Sequence, residues 1–221
     1  MTGVLDGKAV VITGAGRGLG QAFALHAATH GAAVVVNDLD AEPADEMVDP
    51  SVATAAIQLC CKEFGRIDGL VDNAGMRYQS PIAEDDPARM RTLIETNVLA
   101  TMYCGSAAAA ALREQGSGSI VNVGSLAMVG RPTASAYSAS KGAVASMTVA
   151  WAAELAEHGV RVNAICPVAH TRMSLADTRT LGQISVKEPV LPNTGLDVDD
   201  IADAFDTRLE PEPFPAQCLN R

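Results

Sequence analysis

The sequence predicts a single α/β domain built on a parallel, doubly wound sheet. Three observations carry that reading. Short β-branched runs recur along the chain, a helical stretch separates each from the next, and the runs are continuously apolar rather than alternating. With 221 residues, 48% hydrophobic and 19% charged, the chain can bury one core and is too apolar for a disordered polypeptide.

Lys8–Thr13 is a β-branched run ending in glycines, hence a buried strand. A helix is expected from about Gly18 to His30, with Phe23, Ala24 and Ala27 inward, and Gly31 stops it. Ala33–Asn37 is a second buried strand. Ser51 to Phe64 reads as a helix and Ile67–Asp72 as a strand. Pro87 to Arg113 reads as one long alanine-rich helix, Ser119–Val123 as a strand, Ala136 to His158 as a helix, and Val160–Ile165 as a last strand. The domain is taken as residues 1–209, with 210–221 a proline-rich tail.

One interval is too short. Only 12 residues separate Asp38 from the helix beginning at Ser51, and a parallel crossover alone takes about a dozen. A crossover helix and a further strand cannot both fit, so residues are expected to be absent near Val48/Asp49. Without that strand, Ala33–Asn37 becomes an apolar sheet edge prone to aggregation, which predicts poor stability.

Charge and composition exclude several function classes. Sixteen basic against 26 acidic residues give a net charge of −10, the wrong sign for a nucleic-acid backbone binder. No apolar run approaches the roughly 18 residues of a membrane helix. The N-terminus carries no basic-then-apolar leader, so a cytoplasmic location is expected. Cys60, Cys61, Cys104, Cys166 and Cys218 show no CxxC and read as reduced thiols. No His/Cys/carboxylate cluster has metal-ligand spacing.

Between the first strand and first helix lies Thr13-Gly-Ala-Gly-Arg-Gly-Leu-Gly20. The GxGxxG pattern fails, because its third glycine would fall on Leu19. The pattern that fits is T-G-x-x-x-G-x-G, on Thr13, Gly14, Gly18 and Gly20. Glycines there let a backbone approach a pyrophosphate, and the helix N-terminus offers free N–H groups. Asp38, ending the second strand, suits the ribose hydroxyls of NAD and repels the extra phosphate of NADP. Arg17 argues the other way, and Asp38 is taken to decide. Further on, Tyr137 and Lys141 stand one helical turn apart on the same face. An ammonium beside a phenol favours the phenolate, bringing tyrosine into range for proton transfer. Ser125, after the strand ending at Val123, can hydrogen-bond a substrate oxygen.

Together these residues resemble the short-chain dehydrogenase/reductase family. The resemblance runs from Thr13 to about Met173 and includes the glycine motif, Asn73-Ala-Gly75, Asn97, Ser125, and Tyr137 with Lys141. It implies a Rossmann-type sheet and oxidoreduction of a CH–OH group. Tyr137 would be the acid/base, Ser125 would polarise the substrate oxygen, and Lys141 would bind the nicotinamide ribose and acidify the tyrosine. Asn97, identified only by its Asn97-Val98 context, would hold a relay water, or else is an asparagine on a helix surface. Gly14, Arg17, Gly18, Leu19, Gly20, Asp38, Asn73, Ala74, Gly75, Tyr137, Lys141, Pro167 and Thr171 would contact the cofactor. His170 and Met173 would border the substrate opening. The helices around Thr101–Leu112 and Ala143–Ala153 would form a homodimer or homotetramer, or else only cover the sheet.

The chain also departs from the family. Asp72-Asn73 replaces a common asparagine pair, Ser125 and Tyr137 lie one residue closer than usual, and Val168 succeeds Pro167 where glycine is frequent. The last family strand is not identifiable after Ile201, so a second omission is expected near Ala202/Asp203. Pro167–Met173 and Val34–Leu39 resemble the hydroxyacyl-CoA dehydrogenase branch, the multifunctional-enzyme-like dehydrogenases. The expected activity is NAD-dependent oxidation of a secondary alcohol, a 3-hydroxyacyl-CoA or a hydroxysteroid. NADPH-dependent ketoacyl reduction and a non-catalytic nucleotide-binding scaffold are the alternatives.

Overall fold

The computed structural model describes residues 3–38 and 49–167. In these residues five strands form one parallel sheet in the order β2-β1-β3-β4-β5. The strands are β1 (Ala9–Thr13), β2 (Ala33–Asn37), β3 (Gly69–Asp72), β4 (Gly118–Val123) and β5 (Val160–Ile165). The helices are α1 (Gly18–Thr29), α2 (Pro50–Phe64), α3 (Pro87–Ile94), α4 (Ala100–Gln115) and α5 (Ser135–Leu155).

The sheet is covered on both faces because neighbouring residues of a strand point opposite ways. Val10 and Ile12 of β1 pack with Phe23, Ala24 and Ala27 of α1. Ala9 and Val11 point to the other face, where Leu70, Ile120 and Val162 meet Ile57 of α2 and Ala108 and Leu112 of α4. Both clusters draw on β1, which explains why that strand is buried along its whole length.

Local chemistry sets the helix ends. Asp49 caps α2 by accepting from Ser51 N (2.8 Å), Pro50 opens it, and Gly65 closes it in the left-handed region. Asp86 and Pro87 start α3 in the same way, with Ala88 N donating to Asp86 Oδ1 (3.1 Å).

The structure corrects two expectations about these elements. The helix expected over Pro87–Arg113 is two helices joined by a π-type turn, Glu95–Leu99. At its centre Asn97 is fully buried, and its amide is bound to neighbouring elements rather than to solvent. Such an extra residue in a helix re-aims one side chain inward. The second correction concerns the burial of β2. Read as a buried strand, it is the sheet edge among the described residues, as expected where the outer strand is missing. Only Val35 is buried, and Val36 is 53% exposed. The cause is the short interval after Asp38. Removing the outermost strand from the order 3-2-1-4-5-6 and renumbering gives 2-1-3-4-5, the order seen here. The interval itself (39–48), the Ala202/Asp203 region and the tail lie outside the described residues.

Among the described residues no helix is long and apolar enough to cross a membrane. No group of three or more His, Cys, Asp or Glu there could hold a metal ion. The four described cysteines form no disulfide. Burial pushes the Cys60 thiol up to about 11 and the Cys104 thiol up to about 12, so neither is an available nucleophile.

Candidate active site

Parallel strands deliver their C-terminal ends to one edge of the sheet, and the motif residues collect there. The glycine turn leaves β1 at Thr13 and enters α1. A Cβ on Gly14 would lie 2.8 Å from Ala74 Cα and 3.0 Å from Asn73 Nδ2, and residue 14 also has φ +62°. A Cβ on Gly20 would collide with Gly14 O and Asn73 Nδ2. These two positions therefore require glycine, and the turn lies close against the end of β3.

Asn73 holds the turn from the other side. Its Nδ2 donates to Thr13 O and Gly14 O, both at 3.0 Å. Thr13 Oγ1 accepts from Asn73 N and Ala74 N, each at 3.0 Å, and donates to Asp72 Oδ1 at 2.8 Å. Asp38 reaches back from β2, and its Oδ2 accepts from Gly16 N. Arg17 stands at the start of α1 in extended conformation, exposed, and its side chain makes no capping bond. The N-terminus of α1, at Gly18, Leu19 and Gly20, is thus left without a side-chain cap. Close backbone approach, an uncapped helix N-terminus and an acid at the neighbouring strand end fit a dinucleotide.

Beyond the end of β4, a second group of candidate residues is assembled around α5. Tyr137 and Lys141 sit in its first two turns and are both buried, at 8% and 6% exposure. Lys141 Nζ lies 6.0 Å from the centroid of the Tyr137 ring and donates to Val123 O at 2.6 Å. Burial lowers the Lys141 pKa, while Asp72 and Cys166 act to raise it. Asn97 Oδ1 accepts from Met76 N (2.8 Å), and its Nδ2 donates to Met76 O (2.9 Å) and Ser140 Oγ (3.1 Å). The asparagine thereby clamps the loop after β3 to α5. A Cβ on Gly75 would sit 3.3 Å from Asn97 Oδ1 and 3.8 Å from Lys141 Nζ, so this glycine lies between them. Ser125 is half-buried and opens a 3₁₀ turn, Leu126–Val129, with its Oγ accepting from Ala127 N at 3.2 Å. The arrangement can hold a proton-exchanging phenol beside a cation at the mouth of a dinucleotide cradle.

A model of the short-chain dehydrogenase family matches residues 8–54 and 46–180. The chain belongs to the short-chain dehydrogenase/reductase family. The two matched stretches overlap at residues 46–54, which take in the end of the interval that is too short for a crossover and a strand. The chain is 37% identical to 2-(S)-hydroxypropyl-CoM dehydrogenase 3 of Xanthobacter autotrophicus, over 76% of this chain and 73% of that protein. It is 31% identical to a 3alpha-hydroxysteroid dehydrogenase of Mediterraneibacter gnavus, over 91% and 89% of the two chains. A crystal structure of a short chain dehydrogenase from Mycobacterium avium superposes with a TM-score of 0.70 at 34% identity, covering 76% of this chain and 72% of that one. This short-chain dehydrogenase/reductase is therefore an NAD(P)-dependent oxidoreductase acting on CH–OH groups. The relatives' names span unlike substrates and give no ground for placing the chain in the hydroxyacyl-CoA branch.

The structure brings Gly14, Gly18, Leu19, Gly20, Asp38, Asn73 and Ala74 to the glycine turn, and Gly75, Asn97, Tyr137 and Lys141 to the neighbouring cluster. Pro167 lies just past β5, whereas Thr171, His170 and Met173 lie outside the described residues. The alternative of a surface asparagine at Asn97 is wrong, because the side chain is wholly buried. Three neighbours were not legible in the sequence. Val123 acts through a backbone carbonyl, which no side-chain motif reveals. Ser140 reads as an ordinary helix residue. Arg77, whose guanidinium lies 5.3 Å over the Tyr137 ring, has no spacing that ties it to a tyrosine so distant in the chain. Tyr78 packs in the same cluster as Tyr137, yet burial, aided by Asp85, pushes its phenol up to about 12. That environment suits a neutral phenol rather than a second base.

Proposed function

We propose that this dehydrogenase uses NAD to oxidise a secondary alcohol, with Tyr137 as the proton acceptor. The observation that carries the reading is the Lys141 ammonium 6.0 Å from the Tyr137 ring, at the edge where the glycine turn also ends. A neighbouring cation favours the phenolate, so Tyr137 can take the hydroxyl proton of an alcohol. Bound nicotinamide supplies the hydride acceptor. Ser125 steadies the substrate oxygen from the end of β4, and Asn97 keeps the Met76 loop and α5 in register around it. Lys141 is held in place by the Val123 carbonyl, which restricts its ammonium to the region between the tyrosine and the cradle.

Asp38 supports NAD over NADP. Its carboxylate is at the rim of the cradle, bonded to the Gly16 amide, where a 2′-phosphate would meet a like charge. For the substrate, the proposal keeps a 3-hydroxyacyl-CoA thioester or a hydroxysteroid, the latter in line with the name of one relative. An assembly through α4 and α5 has support in the exposed Met102 and Val149 (44% and 47%) on those helices. Trp151, by contrast, packs on Gly105 within the same chain.

The test is a panel of secondary alcohols, hydroxysteroids and β-hydroxyacyl thioesters, monitored by reduced-cofactor absorbance with NAD and with NADP. The expected result is a kcat/KM preference for NAD that Asp38→Ser cuts by about tenfold or more, since a like-charge contact is removed. A wild-type preference for NADP overturns the Asp38 reading.

A further inference from the structure

Asp72 departs from the asparagine common at this place in the family, and the proposed reaction makes no use of it. It ends β3, opposite Asn122 of β4, and is 4% exposed. Its Oδ1 accepts from Thr13 Oγ1 at 2.8 Å, while its Oδ2, buried as deeply, has no hydrogen-bond partner. None of the ion pairs among the described residues includes it. Thr101 of α4 faces the carboxyl, but the Thr101 hydroxyl already donates to Asn97 O at 3.1 Å. Burial raises the Asp72 pKa and outweighs Thr13, Lys141 and Thr101, each of which acts to lower it.

An ionised carboxylate in this setting would be an enclosed anion with one hydroxyl donor and a second oxygen without a hydrogen-bond partner. Burial of that kind is costly for a charge and tolerable for a neutral acid. A protonated carboxyl keeps one acceptor oxygen for Thr13 and removes the charge from the oxygen that has no partner. The titratable groups that face it are Lys141 from α5 and Cys104 from α4, with Cys166 coupled to Lys141 beyond. Cys104 stays a thiol at neutral pH, and the Lys141 ammonium is directed to Val123 O.

We propose that Asp72 is a positioning residue that carries its own proton, a neutral carboxylic acid that orients the Thr13 hydroxyl beneath the phosphate-binding turn. Thr13 has a single hydroxyl hydrogen. Asp72 Oδ1 accepts it in a hydrogen bond, and both Thr13 lone pairs are thereby turned toward the amides of Asn73 and Ala74. Those two residues form the wall against which Gly14 packs. The consequence for cofactor binding rests on the dinucleotide reading of the cradle, whereas the bound proton does not.

Infrared difference spectra of the full chain against Asp72→Asn at neutral pH test the proton directly. The wild type should show the C=O stretch of a protonated carboxyl that the variant lacks. Carboxylate bands alone overturn the proposal. Stability gives an independent readout. Burial holds the native carboxyl above its ordinary 3.8, so the unfolded chain releases this proton first as pH rises. Wild type must then lose Tm relative to Asp72→Asn as pH rises from about 4, until the native acid itself ionises. A difference that moves the opposite way with rising pH contradicts the proposal, as does failure of Asp72→Asn to fold, since asparagine offers the same acceptor and donor. NADH titration monitored by fluorescence completes the test. Asp72→Asn should keep wild-type affinity, and Asp72→Ala should lose about tenfold by leaving the Thr13 hydroxyl unpaired. Equal loss in both variants refutes positioning by a neutral acid. If NADH fails to bind the wild type, the dinucleotide reading falls while the infrared result still decides the proton.

Discussion

Tyr137→Phe is expected to lose turnover while keeping the dinucleotide bound. Proton transfer by a positioned side chain contributes roughly 10²–10⁴ in rate, so kcat should fall by at least about 10² on the best substrate of the panel. The ring contributes packing through Leu93, Ala134 and Tyr78, and phenylalanine preserves it. Stability and NADH affinity should therefore stay close to wild type. The split matters, because a structural role alone would lower Tm with activity. Retained turnover in a folded variant removes Tyr137 from the mechanism.

Gly20→Val is expected to have the second large effect, on binding rather than chemistry. In an ordinary helix, replacing glycine by a residue with a side chain stabilises the helix or is close to neutral. Here the sign reverses, since the new Cβ meets Gly14 O and the Asn73 amide, neither of which has room to retreat. Asn73 is held by two carbonyls of the turn, and Gly14 by the end of β3. Overpacking of this kind costs about 1–3 kcal/mol. It also spoils the surface where the N–H groups of α1 would meet a pyrophosphate. Urea unfolding should show the loss in stability, and NADH fluorescence the loss of binding. A variant that binds NADH as the wild type does would show that this turn is not the cradle.

The parts of the fold legible in the sequence are those that local chemistry dictates. The five strands are β-branched runs between glycine and helix signals, and α2 begins at Asp49-Pro50 and ends at Gly65, as capping rules require. The break between α3 and α4 was not legible. Nothing in an alanine-rich helical stretch marks Asn97 as pointing inward until the Met76 loop and Ser140 are in place to bind it. The edge position of β2 was legible in the length of the chain after Asp38, too short to supply an outer neighbour, and not in the composition of the strand, which is that of a covered one. Its exposed Val36 is a consequence of topology, not of its own sequence. In the site, motif spacing identifies Tyr137, Lys141 and the glycines. The Val123 carbonyl, the Arg77 guanidinium and the arrangement of protons around Thr13 emerge only from three-dimensional contacts.

The central claim is that the Lys141 ammonium makes Tyr137 acidic enough to work as a phenolate base at neutral pH. It is tested most directly by the pH dependence of kcat for alcohol oxidation, comparing wild type with Lys141→Met. Oxidation needs the deprotonated phenol, so the rate rises with pH. Removing the cation should move that rise to more alkaline pH by about a unit or more and slow the reaction at neutral pH. A rising limb that stays where it was in a folded, NADH-binding Lys141→Met would contradict the account.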